Sequence, residues 1–329
     1  MKYLPLFLIF IAILMTGCTS TPAQPITIPP TTSAPTTTLP TDIPPTPGPS
    51  LRGVFEGITP CSAQTRPLPQ IPADSDCEQM VWKITLRQDP ATFTLESAYG
   101  VPQPNTPGLK GGGTPITMTG NWSITTGTKT DPDAVVYRLE SQDPPAAISL
   151  LRISDDVLHL LQADQTLMLG NAAWSYTLNR TDNSPPLKTL EQTGPDPTRP
   201  VYPPTPANLP VLGVFEGRLP CHALVFEFAK IPPHDCMKIK SRLTLYTNPV
   251  SGASSVYYYY STISFREGTW KIVHGSKNDP EAVIYELHLE DGQPPVSFLQ
   301  VDENHLFLLN RNGEPLVGNA LFSYTLSRK

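Results

Sequence analysis

Apolar and polar residues alternate over many short stretches of this chain. In Val81-Trp-Lys-Ile-Thr-Leu-Arg87, Trp82, Ile84 and Leu86 fall on one side, and Val81, Lys83, Thr85 and Arg87 on the other. Thr92-Phe-Thr-Leu-Glu96, Val135-Val-Tyr-Arg-Leu-Glu140 and Leu243-Thr-Leu-Tyr246 alternate likewise. A period of two marks strands with one face on a core and the other on solvent. In the first half, strands are expected to begin near Leu51, Val81, Thr92, Ile116, Ala134, Ala147, Val157 and Ala173. Asp131-Pro132, Asp143-Pro-Pro145, Asp279-Pro280, Asp291-Gly292 and Asn312-Gly313 supply turn chemistry between strands. No stretch reads convincingly as a helix. A meander of short strands removes its exposed edges by closing into a barrel.

The pattern occurs twice. Leu51-Arg-Gly-Val-Phe-Glu-Gly-Ile-Thr-Pro-Cys61 returns as Val211-Leu-Gly-Val-Phe-Glu-Gly-Arg-Leu-Pro-Cys221. Gly120-Asn-Trp122 returns as Gly268-Thr-Trp270, and Gly170-Asn-Ala-Ala-Trp-Ser-Tyr-Thr-Leu178 as Gly318-Asn-Ala-Leu-Phe-Ser-Tyr-Thr-Leu326. The offset is 160 residues at Cys61 and 148 from Trp122 onward, so the second copy is shorter between its second cysteine and its Trp. Copy one carries the Gly- and Pro-rich segment 100–115 in that interval. Each copy is long enough to bury a core of its own, which describes a duplicated domain rather than a solenoid. Trp122 and Trp270 are expected as core anchors, and Glu56 and Glu216, matched in the first strand, as solvent-facing carboxylates.

The ends and joints of the copies read differently. Lys2 precedes an apolar run from Leu4 to Met15, closed by Thr-Gly-Cys18. A basic start, a short apolar stretch and small residues describe a secretory signal, too short to span a bilayer comfortably. Cys18 directly after Thr-Gly resembles the bacterial lipobox, with Met15 where Leu is usual. That resemblance implies that Cys18 is lipidated and becomes the mature N-terminus; several acyl chains would anchor it stably. The alternative is an ordinary secretory signal with an incidental Cys. Residues 19–50 are almost wholly Thr, Pro, Ser and small apolar residues, a composition that cannot form a core and reads as a disordered tether. The expected organisation is a signal at 1–18, this tether, a first barrel at 51–181, a Pro-rich linker at 182–210 and a second barrel at 211–329.

Charge and cysteines narrow the function. A net charge of −6, without any Lys/Arg run, argues against nucleic acid as a partner. Of five cysteines, four fall at matched places, Cys61 with Cys77 and Cys221 with Cys236. An even count in an exported chain favours disulfides in that pairing. The other reading is a soft-metal or redox site in copy two, where Cys221-His222 and His234-Asp-Cys236 offer sulfur and imidazole donors suited to Cu(I). Copy one lacks those imidazoles. The run Tyr257-Tyr258-Tyr259-Tyr260 puts aromatic rings on both faces of a strand, which suits contact with a ligand or the other domain as well as plain strand formation. His159 has no partner in the repeat, because Phe307 stands in its place. There is no Gly-x-Ser-x-Gly, His-Glu-x-x-His or phosphate loop, so no enzymatic activity is expected.

Gly53-Val-Phe-Glu-Gly followed by Pro60-Cys61, its copy ending in Pro220-Cys221, and the later Gly-x-Trp strands resemble the N-terminal domain of the copper-resistance lipoprotein NlpE family. Leu306-Phe-Leu-Leu-Asn-Arg-Asn-Gly313 partly matches a turn of that family. The family has Cys-x-x-Cys, whereas 15 residues separate Cys61 from Cys77 and 14 separate Cys221 from Cys236, so close-spaced chelation or redox chemistry does not carry over. The resemblance implies two tandem small antiparallel β-barrels, distantly lipocalin-like, in an all-β protein. It implies a lipid-anchored envelope protein facing outside the cytoplasm, concerned with envelope or surface stress sensing or copper tolerance. Its expected partners are the membrane, through the anchor, and an envelope signalling protein. No cofactor is expected, copper being the one metal the copy-two residues would suit. The alternatives are a lipocalin-like carrier of a small apolar ligand and a structural surface module.

Overall fold

The computed structural model describes residues 50–62, 65–104, 106–183, 206, 208–222, 224–225, 228, 236–262, 264–276, 279–289 and 292–329. Cys18, the signal, nearly all of the tether, most of the linker and His234 lie outside the described residues. The chain is all-β and forms two closed antiparallel barrels of eight strands each. Barrel one comprises β1 (Ser50–Pro60), β2 (Gln79–Gln88), β3 (Thr92–Gly100), β4 (Thr114–Thr126), β5 (Val135–Gln142), β6 (Pro145–Ser154), β7 (Val157–Leu160) and β8 (Thr177–Arg180). Barrel two repeats it with β9 (Val211–Pro220), β10 (Lys238–Thr247), β11 (Ser254–Ser261), β12 (Phe265–His274), β13 (Val283–Leu289), β14 (Val296–Asp302), β15 (His305–Leu308) and β16 (Thr325–Arg328). Each strand pairs with the next, and each barrel closes at the same point of the repeat. Phe55 pairs with Arg180 in barrel one, and Phe215 with Arg328 in barrel two.

Seven of the first eight strands start within two residues of the positions that alternation predicts. The last starts at Thr177 rather than near Ala173, because Asn171 intervenes. Its side-chain Oδ1 accepts the N–H groups of Ala173 and Trp174, a tight turn that delays the strand. Asn319 does the same for Leu321 and Phe322. The length difference between copies is also located. Residues 101–113 join β3 to β4, whereas residues 262–264 join β11 to β12.

The repeated Gly-x-Trp has a physical reason in both barrels. Trp122 and Trp270 are buried as anchors, each indole donating to a backbone carbonyl, Arg87 at 2.7 Å and Tyr246 at 2.8 Å. The preceding glycine lies opposite Phe93 in one barrel and Tyr257 in the other. A Cβ on Gly120 would strike that ring and the carbonyl oxygen of Glu140; on Gly268 it would strike Tyr257 and the carbonyl of His288. The aromatic ring occupies the room the glycine leaves.

The cores share a plan and differ in filling. Trp82 in β2 is buried, and its Nε1–H donates to Thr59 Oγ1 at 2.9 Å. The position equivalent to Trp82, paired with Gly217 as Trp82 is with Gly57, holds Ser241. Barrel two restores the lost volume from the next strand. Tyr259 stands where barrel one has Leu95, its hydroxyl lies 2.7 Å from Ser241 Oγ, and Phe228 packs 4.3 Å from its ring. In each barrel a buried aromatic's polar group finds a hydroxyl, as burial requires.

Each barrel is stapled where its first hairpin is longest. Cys61, just after β1, is bonded to Cys77, just before β2, and Cys221 to Cys236 at the same place in barrel two. A bridge over a loop of about 15 residues is worth about 3 kcal/mol through loop-closure entropy. Reduction should therefore lower both melting transitions while far-ultraviolet dichroism below them keeps its β signature, since each barrel retains its apolar core. Unchanged melting after complete reduction would show that the bridges add nothing.

Candidate functional site

The cysteine constellation of copy two is first a bridge. With Cys221 and Cys236 bonded, neither sulfur is a thiolate, the form that binds metal. His222 accepts the Leu224 N–H through Nδ1 at 3.2 Å and packs edge-on against Tyr324. Among the described residues, no group of three His, Cys, Asp or Glu is placed to hold a metal ion. A copper site on Cys221, His222, His234 and Cys236 would require that this bridge be reduced.

The four tyrosines divide as alternation predicts. Tyr257 and Tyr259 point inward, are fully buried and fill the core of barrel two. Only Tyr258 and Tyr260 remain as candidates for an external ligand, and both pack with Phe265, at 5.2 and 5.1 Å between ring centroids. Glu56 and Glu216 lie on the outer faces, as expected, and are engaged. Thr181 donates to Glu56 at 2.6 Å, and Arg242 lies 3.5 Å from Glu216.

What the sequence did not announce is a seam between the barrels. Trp174 and Phe322 stack with ring centroids 5.4 Å apart and planes 6° from parallel. Ser175 Oγ lies 2.7 Å from Ser323 Oγ, and Thr177 Oγ1 lies 2.9 Å from Thr325 Oγ1. Each of these pairs joins a residue to its own counterpart in the repeat, so the seam has the self-complementary character of a two-fold dimer interface, built within one chain. Beside it, Val301 packs onto a patch of barrel one formed by Val136, Leu151, Leu161 and Leu167, next to Ile153, its own counterpart.

The seam departs from symmetry at its polar centre. His159 and His305 are both fully buried, with rings 4.8 Å apart, and both Nε2 atoms donate to the carbonyl oxygen of Met168, at 3.0 and 3.2 Å. The repeat places Phe307 opposite His159 and Val157 opposite His305. His159 Nδ1 lies 3.0 Å from Thr177 Oγ1, and His305 Nδ1 2.7 Å from Asp302 Oδ1. Burial, and then the neighbouring His305, push the pKa of His159 down to about 3, so its neutral ring accepts the Thr177 hydroxyl proton. Burial opposes ionisation of Asp302, but the His305 hydrogen bond and charge, with the Asn304 N–H, outweigh it and hold its carboxyl below the usual range. Asn179 completes the polar centre: it accepts the Gly318 N–H at 2.8 Å and donates to the Asn319 carbonyl at 3.1 Å.

Of the residues singled out in the sequence, the structure brings together the two cysteine pairs, and Cys221 and Cys236 pack against the core cluster that contains Tyr257 and Tyr259. The unrepeated His159 was the one sequence signal of the seam. No protein-family model, no curated protein and no solved structure matches this chain.

Proposed function

We propose that this protein is a lipid-anchored, non-enzymatic component of a bacterial cell envelope, concerned with envelope or surface stress sensing or copper tolerance. Cys18 is the anchor and residues 19–50 the spacer. The observation that carries the reading is the pair of disulfides at matched positions, because such bridges persist in oxidising compartments outside the cytoplasm. Support comes also from the NlpE-like segments, which form the first strand of each barrel and lead into its bridge. The two barrels, joined along the seam, would present their outer faces to an envelope signalling protein. Cys18→Ser tests the anchor. The variant should leave the membrane fraction or stay unprocessed, and a variant that still carries lipid and fractionates with the parent would overturn the reading.

A second reading, a carrier of a small apolar ligand, has one supporting feature. The barrel interiors are filled by side chains, but barrel two carries an open cleft of about 300 Å3 lined in part by Leu224, Val273, Ile284, Val296 and Leu309. Lipid co-purifying with the protein, in native mass spectrometry of a Cys18→Ser chain, would favour it.

A further inference from the structure

The outer face of barrel two beside the seam carries an arrangement that the fold does not need. Arg218 in β9 and Lys240 in β10 are directly paired across the strands, and Lys238 follows on the same face, opposite Pro220. Like charges directly opposite on a sheet destabilise it. Barrel one shows the alternative. The same register there holds Ile58 opposite Val81 and Gln79 opposite Pro60, with no charge at all. Both barrels close equally well, so the three cations are not a requirement of the architecture.

Neither Arg218, Lys238 nor Lys240 takes part in any ion pair among the described residues. Glu216, the acid nearest along β9, faces Arg242 and Lys329 instead. The Arg218 Nε atom is buried and has no hydrogen-bond partner among the described residues. A guanidinium N–H in that condition carries an unmet desolvation penalty. Two of the groups are held in place from below by the seam. The Arg218 guanidinium lies 5.3 Å from the Trp174 ring and the Lys238 ammonium 5.5 Å from the Phe322 ring, the two rings that stack on each other. Cation–π contact holds these heads but supplies their N–H groups with no acceptor oxygen. Burial holds Arg218 below its ordinary pKa. Lys238 is lowered by burial, then by Arg218 and Lys240, so the three charges act on one another.

We propose that Arg218, Lys238 and Lys240 form a binding site for a phosphate-class oxyanion at the rim of the seam. Three converging positive charges call for a dianion or a phosphate ester rather than a single carboxylate, and an Arg fork beside Lys point charges is suited to phosphate oxygens. The seam cleft beneath, lined by Arg218, Trp174 and Phe322, encloses only about 10 Å3, so the anion lies across the rim rather than within. The same chemistry is offered by free phosphate and by the phosphodiester of a lipid headgroup. The site stands independently of the function proposed above.

The test uses the full chain in low-salt buffer with two soluble probes, inorganic phosphate and glycerophosphoglycerol, in titration calorimetry. At least one should bind and raise the melting temperature by mass action. Phosphate alone identifies a free-anion site, and glycerophosphoglycerol a headgroup site; both outcomes support the proposal. Lys240→Glu, at an exposed position, places a carboxylate opposite Arg218 and should weaken binding at least tenfold. The triple change to the residues of barrel one, Arg218→Ile with Lys238→Gln and Lys240→Val, should abolish binding and melt no lower than the parent. No binding of either probe at millimolar concentration, or affinity unchanged in Lys240→Glu, would overturn the proposal.

Discussion

Trp82→Ala should lower the stability of barrel one by about 3–5 kcal/mol, the range for truncating a large buried aromatic. Trp82 is 1% exposed, and its loss removes both core volume and the donor to Thr59 Oγ1, itself fully buried. Barrel two supplies the control. It tolerates Ser241 at this place because Tyr259 replaces Leu95 and Phe228 packs over it. Trp82→Ser with Leu95→Tyr imports half of that solution and should recover part of the loss. Urea unfolding followed by tryptophan fluorescence and dichroism measures both. A loss under about 1 kcal/mol in Trp82→Ala would mean that the site collapses freely, and the account of the core given above would fail.

Acid should destabilise the seam from about pH 6.5 downward, a range that begins above the titration of ordinary carboxylates. His159 has a folded pKa of about 3 against an ordinary value of 6.5. Its stabilising effect is complete above the unfolded value and is lost as pH falls toward the folded one, because the released chain binds a proton that the buried ring refuses. At about pH 4.5, two pK units below the unfolded value, the loss from this residue is roughly 3 kcal/mol. The groups facing His159 are the Thr177 hydroxyl, the Met168 carbonyl, His305 and, beyond it, Asp302. The lowered pKa of Asp302 acts in the same direction but at lower pH, as its carboxylate is protonated. His159→Phe installs the residue that the repeat carries at Phe307. It should cost stability at neutral pH, through the hydrogen bonds it deletes, and flatten the stability profile between pH 6.5 and 4.5. Parallel profiles for the two proteins would remove His159 as the origin of acid sensitivity.

The fold was legible because its rules are local. Alternation placed Trp82, Ile84 and Leu86 on one face, and the structure buries all three. Asp-Pro and Asn-Gly pairs marked the turns, and duplication let each copy check the other. The cysteine pairs were readable for the same reason, since a duplication carries a bridge with it. The tyrosine run was half legible. Its alternation was plain, but that Tyr257 and Tyr259 serve as core rather than ligand contacts depends on Ser241 and Phe228, which are distant in sequence.

The sequence by itself determined the class of fold, the duplication, the strand positions to within a few residues and the cysteine pairing, because these follow from periodicity, turn chemistry and repetition. Only the tertiary structure decided how the copies meet. The residues of the seam, Trp174, Ser175 and Thr177 with their counterparts, lie in sequence within the repeated segment expected as a strand from near Ala173, with nothing to mark them as an interface. Nothing in a linear pattern says which outer face will be covered by another barrel. The same limit hid the burial of His159 and His305 and the lack, among the described residues, of a carboxylate paired with Arg218. Solvation and charge pairing are set by what lies across space, and that is fixed only when two surfaces distant along the chain close on each other.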